Sequence, residues 1–167
     1  MPIITRRSLI ASAAAFTGAA IAGPVLAQNA PLVVYDDELK NGWQSWSWAK
    51  VDMSVPVGGA KPMKVEGDPW QALALHHDPI SMAGYSKLTF FINGGMDGGQ
   101  SIAVKLLVDG KAVDSNYILQ PKTKQWLPAS VPLKDIGGTD KMVDGIWFQG
   151  QAAAFKPYYI DKIQFEA

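Results

Sequence analysis

The chain has no cysteine, and its only arginines are Arg6 and Arg7. Without cysteine there is no disulfide, no thiolate metal site and no thiol nucleophile. Beyond residue 7 the positive charge is lysine alone, 13 lysines against 15 acidic residues, a balance of −2. A nucleic-acid reader needs a basic face, usually furnished with arginine. A receptor for carboxylate or phosphate ordinarily uses the guanidinium fork. Neither class suits this composition, so a ligand of the chain is expected to be neutral.

Catalytic side chains are scarce too. The histidines are His76 and His77, and the glutamates are Glu38, Glu66 and Glu166. No pair of carboxylates stands in a recognisable acid/base motif, and neither a GxSxG elbow nor an HExxH helix occurs. The loop Gly94–Gly99 lacks the lysine and the following helix of a phosphate-cradling loop. Adjacent histidines on a strand point to opposite faces, so His76 and His77 do not jointly hold a metal, and His76 reads as a polar-face residue.

Long hydrophobic runs are missing except near the N-terminus. There Thr5-Arg6-Arg7-Ser8-Leu9-Ile10 precedes an alanine-rich stretch ending at Val25-Leu26-Ala27. Small or aliphatic residues at Val25 and Ala27 suit a signal peptidase cutting after Ala27. The run is too short to span a bilayer and is charged only on its N-terminal side, so it reads as a secretory signal and leaves no membrane span in the mature protein. Arg6-Arg7 fits a twin-arginine signal, with an ordinary secretory signal as the alternative. The expectation is a cleaved segment, 1–27, and one mature domain, 28–167, periplasmic or secreted.

The mature sequence has no stretch of helical period. It reads as short alternating runs separated by Gly, Pro, Asn and Asp: Leu32–Asp36, Trp43–Met53, Lys61–Glu66, Gln71–His77, Lys87–Asn93, Ser101–Val108, Ala112–Gln120, Trp126–Leu133, Gly145–Gln151 and Tyr158–Glu166. Asp109-Gly110 is a hairpin signal, and Pro128 and Pro132 fit an edge strand. About ten short strands with regular turns predict an all-β, antiparallel sandwich.

Trp43, Trp46 and Trp48 place half of the chain's six tryptophans in one segment. Alternation sets Trp43 with Ser45, Ser47, Ala49 and Val51 on one face. It sets Trp46 and Trp48 with Gln44, Lys50 and Asp52 on the other, roughly 7 Å apart along a strand. Two readings stay open: a surface platform, or core rings, since tryptophan is highly buried on average. Trp147 repeats the pattern, alternating with Ile146 and Phe148 and sharing its parity with Gln149 and Gln151. An aromatic among amides suits a neutral sugar, whose apolar C–H face covers the ring while the amides bond its hydroxyls. Trp70 and Trp126 read as core or rim.

Tyr35-Asp36-Asp37, Gly42-Trp43-Gln44-Ser45-Trp46-Ser47-Trp48, Tyr85–Ile92, Gly98-Gly99-Gln100, Ile146-Trp147-Phe148-Gln149 and Tyr158–Ile163 together resemble the galactose-binding-like β-sandwich carbohydrate-binding modules of secreted bacterial polysaccharide-degrading proteins. The resemblance implies a jelly-roll topology and carbohydrate binding. It also implies a structural Ca²⁺ near the first and last strands. On parity alone Asp161 shares a face with Tyr159, Ile163 and Phe165, which turns a carboxylate inward and asks for a cation or several donors. Asp36 and Asp37 are placed to add oxygens to calcium, and the alternative is that Asp161 caps backbone amides. Three function classes follow. The first is a non-catalytic protein holding a neutral oligo- or polysaccharide on Trp46, Trp48, Trp147, Gln149 and Gln151. The second is a structural or adhesive envelope protein using that face on a protein partner. The third, more distant, is a glycoside hydrolase.

Overall fold

The computed structural model describes residues 28–167. The secretory signal expected over residues 1–27 lies outside the described residues. No helix among the described residues is long and apolar enough to cross a membrane.

Among the described residues thirteen strands form two sheets, every pairing antiparallel. In chain order they are β1 (Leu32–Asp36), β2 (Glu38–Leu39), β3 (Gln44–Ser45), β4 (Lys50–Asp52), β5 (Met63–Gly67), β6 (Ala72–Ser81), β7 (Lys87–Asn93), β8 (Ile102–Val108), β9 (Lys111–Ala112), β10 (Ile118–Leu119), β11 (Trp126–Pro132), β12 (Met142–Gly150) and β13 (Phe155–Glu166). One 3-10 turn, Leu133–Ile136, follows β11. The seven-stranded sheet runs β11-β7-β13-β1-β2, with β5 pairing β13 and β4 pairing β5. The six-stranded sheet runs β10-β8-β12-β6-β3, with β9 on β8.

Alternation decides which side chains meet between the sheets. Leu88, Phe90 and Ile92 of β7 and Leu73 and Leu75 of β6 are buried, as are Ile146 and Phe148 of β12. Phe90 and Phe148 meet edge to face across the core, centroids 5.1 Å apart and planes at 84°, an arrangement favoured by the ring quadrupoles. The β8–β9 hairpin turns on Asp109 and Gly110, both at positive φ (52° and 69°). That is the backbone demanded by a tight hairpin of matching twist, and Asp-Gly supplies it. Pro128 and Pro132 lie on β11, an edge strand, where a missing N–H donor is tolerated.

Two readings of the alternation are corrected. Trp43–Met53 is not one strand. Its first part, β3, pairs β6 in the six-stranded sheet, and its last part, β4, pairs β5 in the seven-stranded sheet. Between them Trp46, Trp48 and Ala49 still donate backbone N–H groups to Ala74 and Ala72 of β6 at 2.8–3.2 Å. The segment therefore steps from one layer to the other. The second correction concerns Asp161. A bulge lies between Asp161 and Gln164 in the β13–β7 register, with Lys162 at φ 53°. One extra residue inverts the parity beyond it. Tyr158 and Ile160 before the bulge and Ile163 and Phe165 after it all fill the core. Asp161, paired with the outward Phe91, is instead on the outer side of its sheet, buried beneath neighbouring chain.

Candidate carbohydrate-binding face

The outer side of the six-stranded sheet is built on small residues. Leu73 and Leu75 turn inward, so Ala72, Ala74 and His76 of β6 turn outward. Across the β12 pairing Gln149 stands opposite Ala72, Trp147 opposite Ala74 and Gly145 opposite His76. The alanines leave room above them, and tryptophans occupy it.

Trp43 is 4% exposed and packs against Phe165 and His77. Trp46 and Trp48 are 60% and 41% exposed. Both rings are therefore at the surface and not in the core, and a layer-crossing segment rather than a strand presents them. The Trp46 ring lies flat on His76, and its Nε1 donates to Gln44 Oε1 at 3.1 Å. His76 and His77 do part company: His77 turns toward Trp43, its ring nitrogens 2.8 and 2.6 Å from the Asn41 and Asp78 carbonyl oxygens. Trp48 meets Trp147 edge to face, centroids 4.8 Å apart and planes at 83°.

Trp70 joins this group; of its two readings, core and rim, the core one does not hold. It is 53% exposed. Its carbonyl oxygen accepts from Trp48 Nε1 at 3.1 Å and from Gln149 Nε2 at 3.0 Å, and its N–H donates to the Gln151 carbonyl at 3.0 Å. Its φ is 66°, a conformation uncommon outside glycine and strained for a bulky residue. Trp70 follows Asp68-Pro69 in a turn with no alternation, so no face could be assigned to it. Its one sequence signal is a large aromatic in a turn where small polar residues are usual.

The five residues expected to hold a glycan thus fall together. Trp48 touches Trp147, Gln149 is tied to Trp48 through the Trp70 carbonyl, Gln151 is tied to the Trp70 N–H, and Trp46 stands beside them on His76. The amides are less free than expected. Gln149 donates one of its two side-chain N–H groups to Trp70, and Gln151 donates to the Gln149 and Gly150 carbonyls at 3.2 and 3.3 Å. Each keeps its side-chain carbonyl oxygen for a ligand, and Gln149 keeps its second N–H. A polar depression of about 750 Å³ adjoins Gln151, lined by Ala103, Lys105, Asn116, Tyr117 and Asp135 among others.

The three aspartates also converge. One carboxylate oxygen of each of Asp36, Asp37 and Asp161 lies within 4.8 Å of the others. Their charge is answered within the chain. Lys162 Nζ is 2.8 Å from Asp36, the Lys61 N–H donates to Asp37 at 2.6 Å, and the Lys162 and Asp37 N–H groups donate to Asp161 Oδ1 at 2.8 and 3.3 Å. The Asp36 carboxylate holds the Lys162 ammonium above its ordinary value. The all-oxygen donor set suits a hard cation such as Ca²⁺, and the amide-capping alternative is present in the same cluster.

No family model matches the chain. An endoglucanase of Dictyostelium discoideum is 26% identical over 129 residues, covering 71% of this chain and 18% of that protein's length. Among solved structures, a family 29 carbohydrate-binding module is similar at 15% identity and a TM-score of 0.61, covering 82% of this chain and 88% of its own. A variant of such a module complexed with mannohexaose gives 14% and 0.59, with 82% and 91% covered, and one complexed with cellulohexaose gives 15% and 0.59, with 82% and 90%. The likeness drawn from sequence motifs is thus borne out in three dimensions: the chain has the antiparallel β-sandwich fold of the family 29 carbohydrate-binding modules.

Proposed function

We propose that the chain is an exported, non-catalytic carbohydrate-binding protein that holds a neutral glycan on the outer face of its six-stranded sheet. One observation carries the reading: four tryptophans, Trp46, Trp48, Trp70 and Trp147, gather on one sheet face, three of them exposed. Rings so exposed contribute nothing to the core and are available to the apolar faces of sugar rings. The Gln149 and Gln151 carbonyl oxygens and the adjoining depression supply acceptors for hydroxyl groups. The glycans in the similar solved structures, mannohexaose and cellulohexaose, make β-linked neutral hexasaccharides the first ligands to try. Export rests on the Arg6-Arg7 signal and the Ala27 cleavage site.

Titration calorimetry with cellulohexaose, mannohexaose and xylohexaose tests the binding. Trp46→Ala and Trp48→Ala should each weaken it ~3–10-fold, on the scale of one aromatic contact. Unchanged affinity in both variants, or no affinity in the parent, would sink the proposal. Fractionation of an Arg6-Arg7→Lys-Lys variant tests the route: retention in the cytoplasm supports twin-arginine export, and normal export returns the signal to the ordinary secretory class.

A further inference from the structure

The opposite side of the sandwich has an aromatic feature that the proposed face does not use. On β7 the outward residues are Lys87, Thr89, Phe91 and Asn93. The pairings with β11 and β13 set them in cross-strand rows: Trp126–Asn93–Tyr159, Pro128–Phe91–Asp161, Ser130–Thr89–Gln164 and Pro132–Lys87–Glu166. Phe91 is 42% exposed on a strand with sheet neighbours on both sides. A single exposed ring is ordinary, but the ground on either side of this one is not. Toward Trp126 lies an apolar trough of about 390 Å³, walled by the Val57–Ala60 turn. Toward Thr89 lies a depression of about 550 Å³ of mixed lining, with Phe91, Pro128 and Ala129 beside Ser130, Gln164 and Glu166. Phe91 and Lys162 line both. Each volume is of the size that takes a small ligand.

Both lysines that line these depressions are paired. Lys87 Nζ is 3.3 Å from Glu166 Oε2, and Lys162 Nζ is 2.8 Å from Asp36. Thr89 Oγ1 and Gln164 Nε2 donate to Glu166 Oε1 at 2.8 and 2.7 Å, and with Lys87 they hold that carboxyl below its ordinary value. An anionic ligand finds Lys87 and Lys162 already paired and would have to break an ion pair. A neutral ligand with apolar C–H faces and hydroxyl edges fits an apolar trough that passes into a depression of mixed lining. Stacking on Phe91 and Trp126 covers its C–H groups, and the Gln164, Thr89 and Ser130 oxygens meet its hydroxyls.

We propose that the outer face of the seven-stranded sheet is a second glycan subsite, centred on Phe91 and Trp126, which makes the protein bivalent for neutral polysaccharide. The ligand class rests on the reading of this chain as a glycan-binding protein; the position does not overlap the tryptophan face. Because the two faces back onto one core, two sugar chains held together would lie on opposite sides of the sandwich, an arrangement suited to cross-linking.

Heteronuclear NMR of the isotope-labelled chain, titrated separately with cellulohexaose, mannohexaose and xylohexaose, tests this. Saturation should move the Thr89, Phe91, Gln164 and Trp126 amides as well as the Trp48, Trp70 and Trp147 indoles. In the Trp46→Ala/Trp48→Ala variant the Phe91-side shifts should persist with unchanged midpoint. In Phe91→Ala they should weaken ~3–10-fold, with the tryptophan-face shifts unchanged. Phe91→Leu, which keeps an apolar side chain there, should weaken them as well if stacking is the cause. Shifts confined to the tryptophan face overturn the second subsite and leave the first. Shifts on neither face overturn both. A sedimentation mass that grows with concentration and falls to the monomer in Phe91→Glu would make this face a contact between copies, and overturn its assignment to a glycan.

Discussion

The indole of Trp46 lies flat on the imidazole of His76, ring centroids 3.6 Å apart and planes 17° apart. The tryptophan is thereby supported from beneath by a side chain on β6, the second strand in from the β3 end of its sheet. His76 is accordingly a positioning residue in the proposed site. His76→Ala should lower hexasaccharide affinity by a few-fold through a freer Trp46 ring, while His76→Phe, which restores a flat support, should recover most of it. Calorimetry on the two variants checks this, and equal losses in both would remove the support role.

Burial separates the tryptophans in a melting experiment. Trp43→Ala opens a cavity between β3 and the core and should cost about 3–5 kcal/mol. Trp46→Ala and Trp48→Ala should cost under about 1 kcal/mol each, as surface truncations do. Denaturant midpoints measure all three, and a loss in Trp46→Ala as large as that in Trp43→Ala would contradict the exposure described above.

Trp70 holds a left-handed backbone while exposing its ring. Trp70→Ala removes the ring and keeps the strain, whereas Trp70→Gly removes both. The glycine variant should therefore be the more stable by about 1 kcal/mol, with both equally weak toward hexasaccharide. Equal stability of the two would show that the conformation stores no strain.

Lys162 and a calcium ion would answer the same carboxylates. Lys162→Met removes the ammonium and leaves Asp36, Asp37 and Asp161 converging. Millimolar calcium should then raise the melting temperature of that variant more than that of the parent, and EDTA should reverse the gain, because a ligand bound only to the native state stabilises it by mass action. An identical null response in both proteins removes calcium from the account.

Tyr158 is fully buried, and no described residue hydrogen-bonds its hydroxyl. Burial pushes the phenol well above its ordinary pKa. Tyr158→Phe removes a polar group that is desolvated without return, so it should be neutral or stabilise the fold by up to about 1 kcal/mol. A loss above that size would show that the hydroxyl has a partner.

Period-two alternation carried most of the fold. Leu32–Asp36 and Lys87–Asn93 are strands with the bounds the sequence suggests, and Asp109-Gly110 turns the hairpin. Alternation misled where the backbone broke it. The bulge at Lys162 moved Asp161 to the outer side, and the crossing between β3 and β4 broke an apparent eleven-residue strand in two. Ala112–Gln120 likewise contains only the short β10 and the end of β9. In the candidate site, Trp46, Trp48 and Trp147 were legible because strand parity set them among polar neighbours. Trp70 was not, since its place depends on main-chain hydrogen bonds to residues about 80 positions away, Gln149 and Gln151.

The segment that steps between layers bears on how the protein would respond to mechanical load. A polymer tugging on Trp46 or Trp48 pulls on backbone anchored at one end to β6 and at the other to β5. The tension is divided between two hydrogen-bonded ladders in separate sheets, with the Trp43 indole wedged in the core just ahead of them. Peeling the crossing away from one end leaves the other end attached. A tether of this form yields in stages, and under the proposed function a sugar chain would leave the rings before the sandwich itself comes apart.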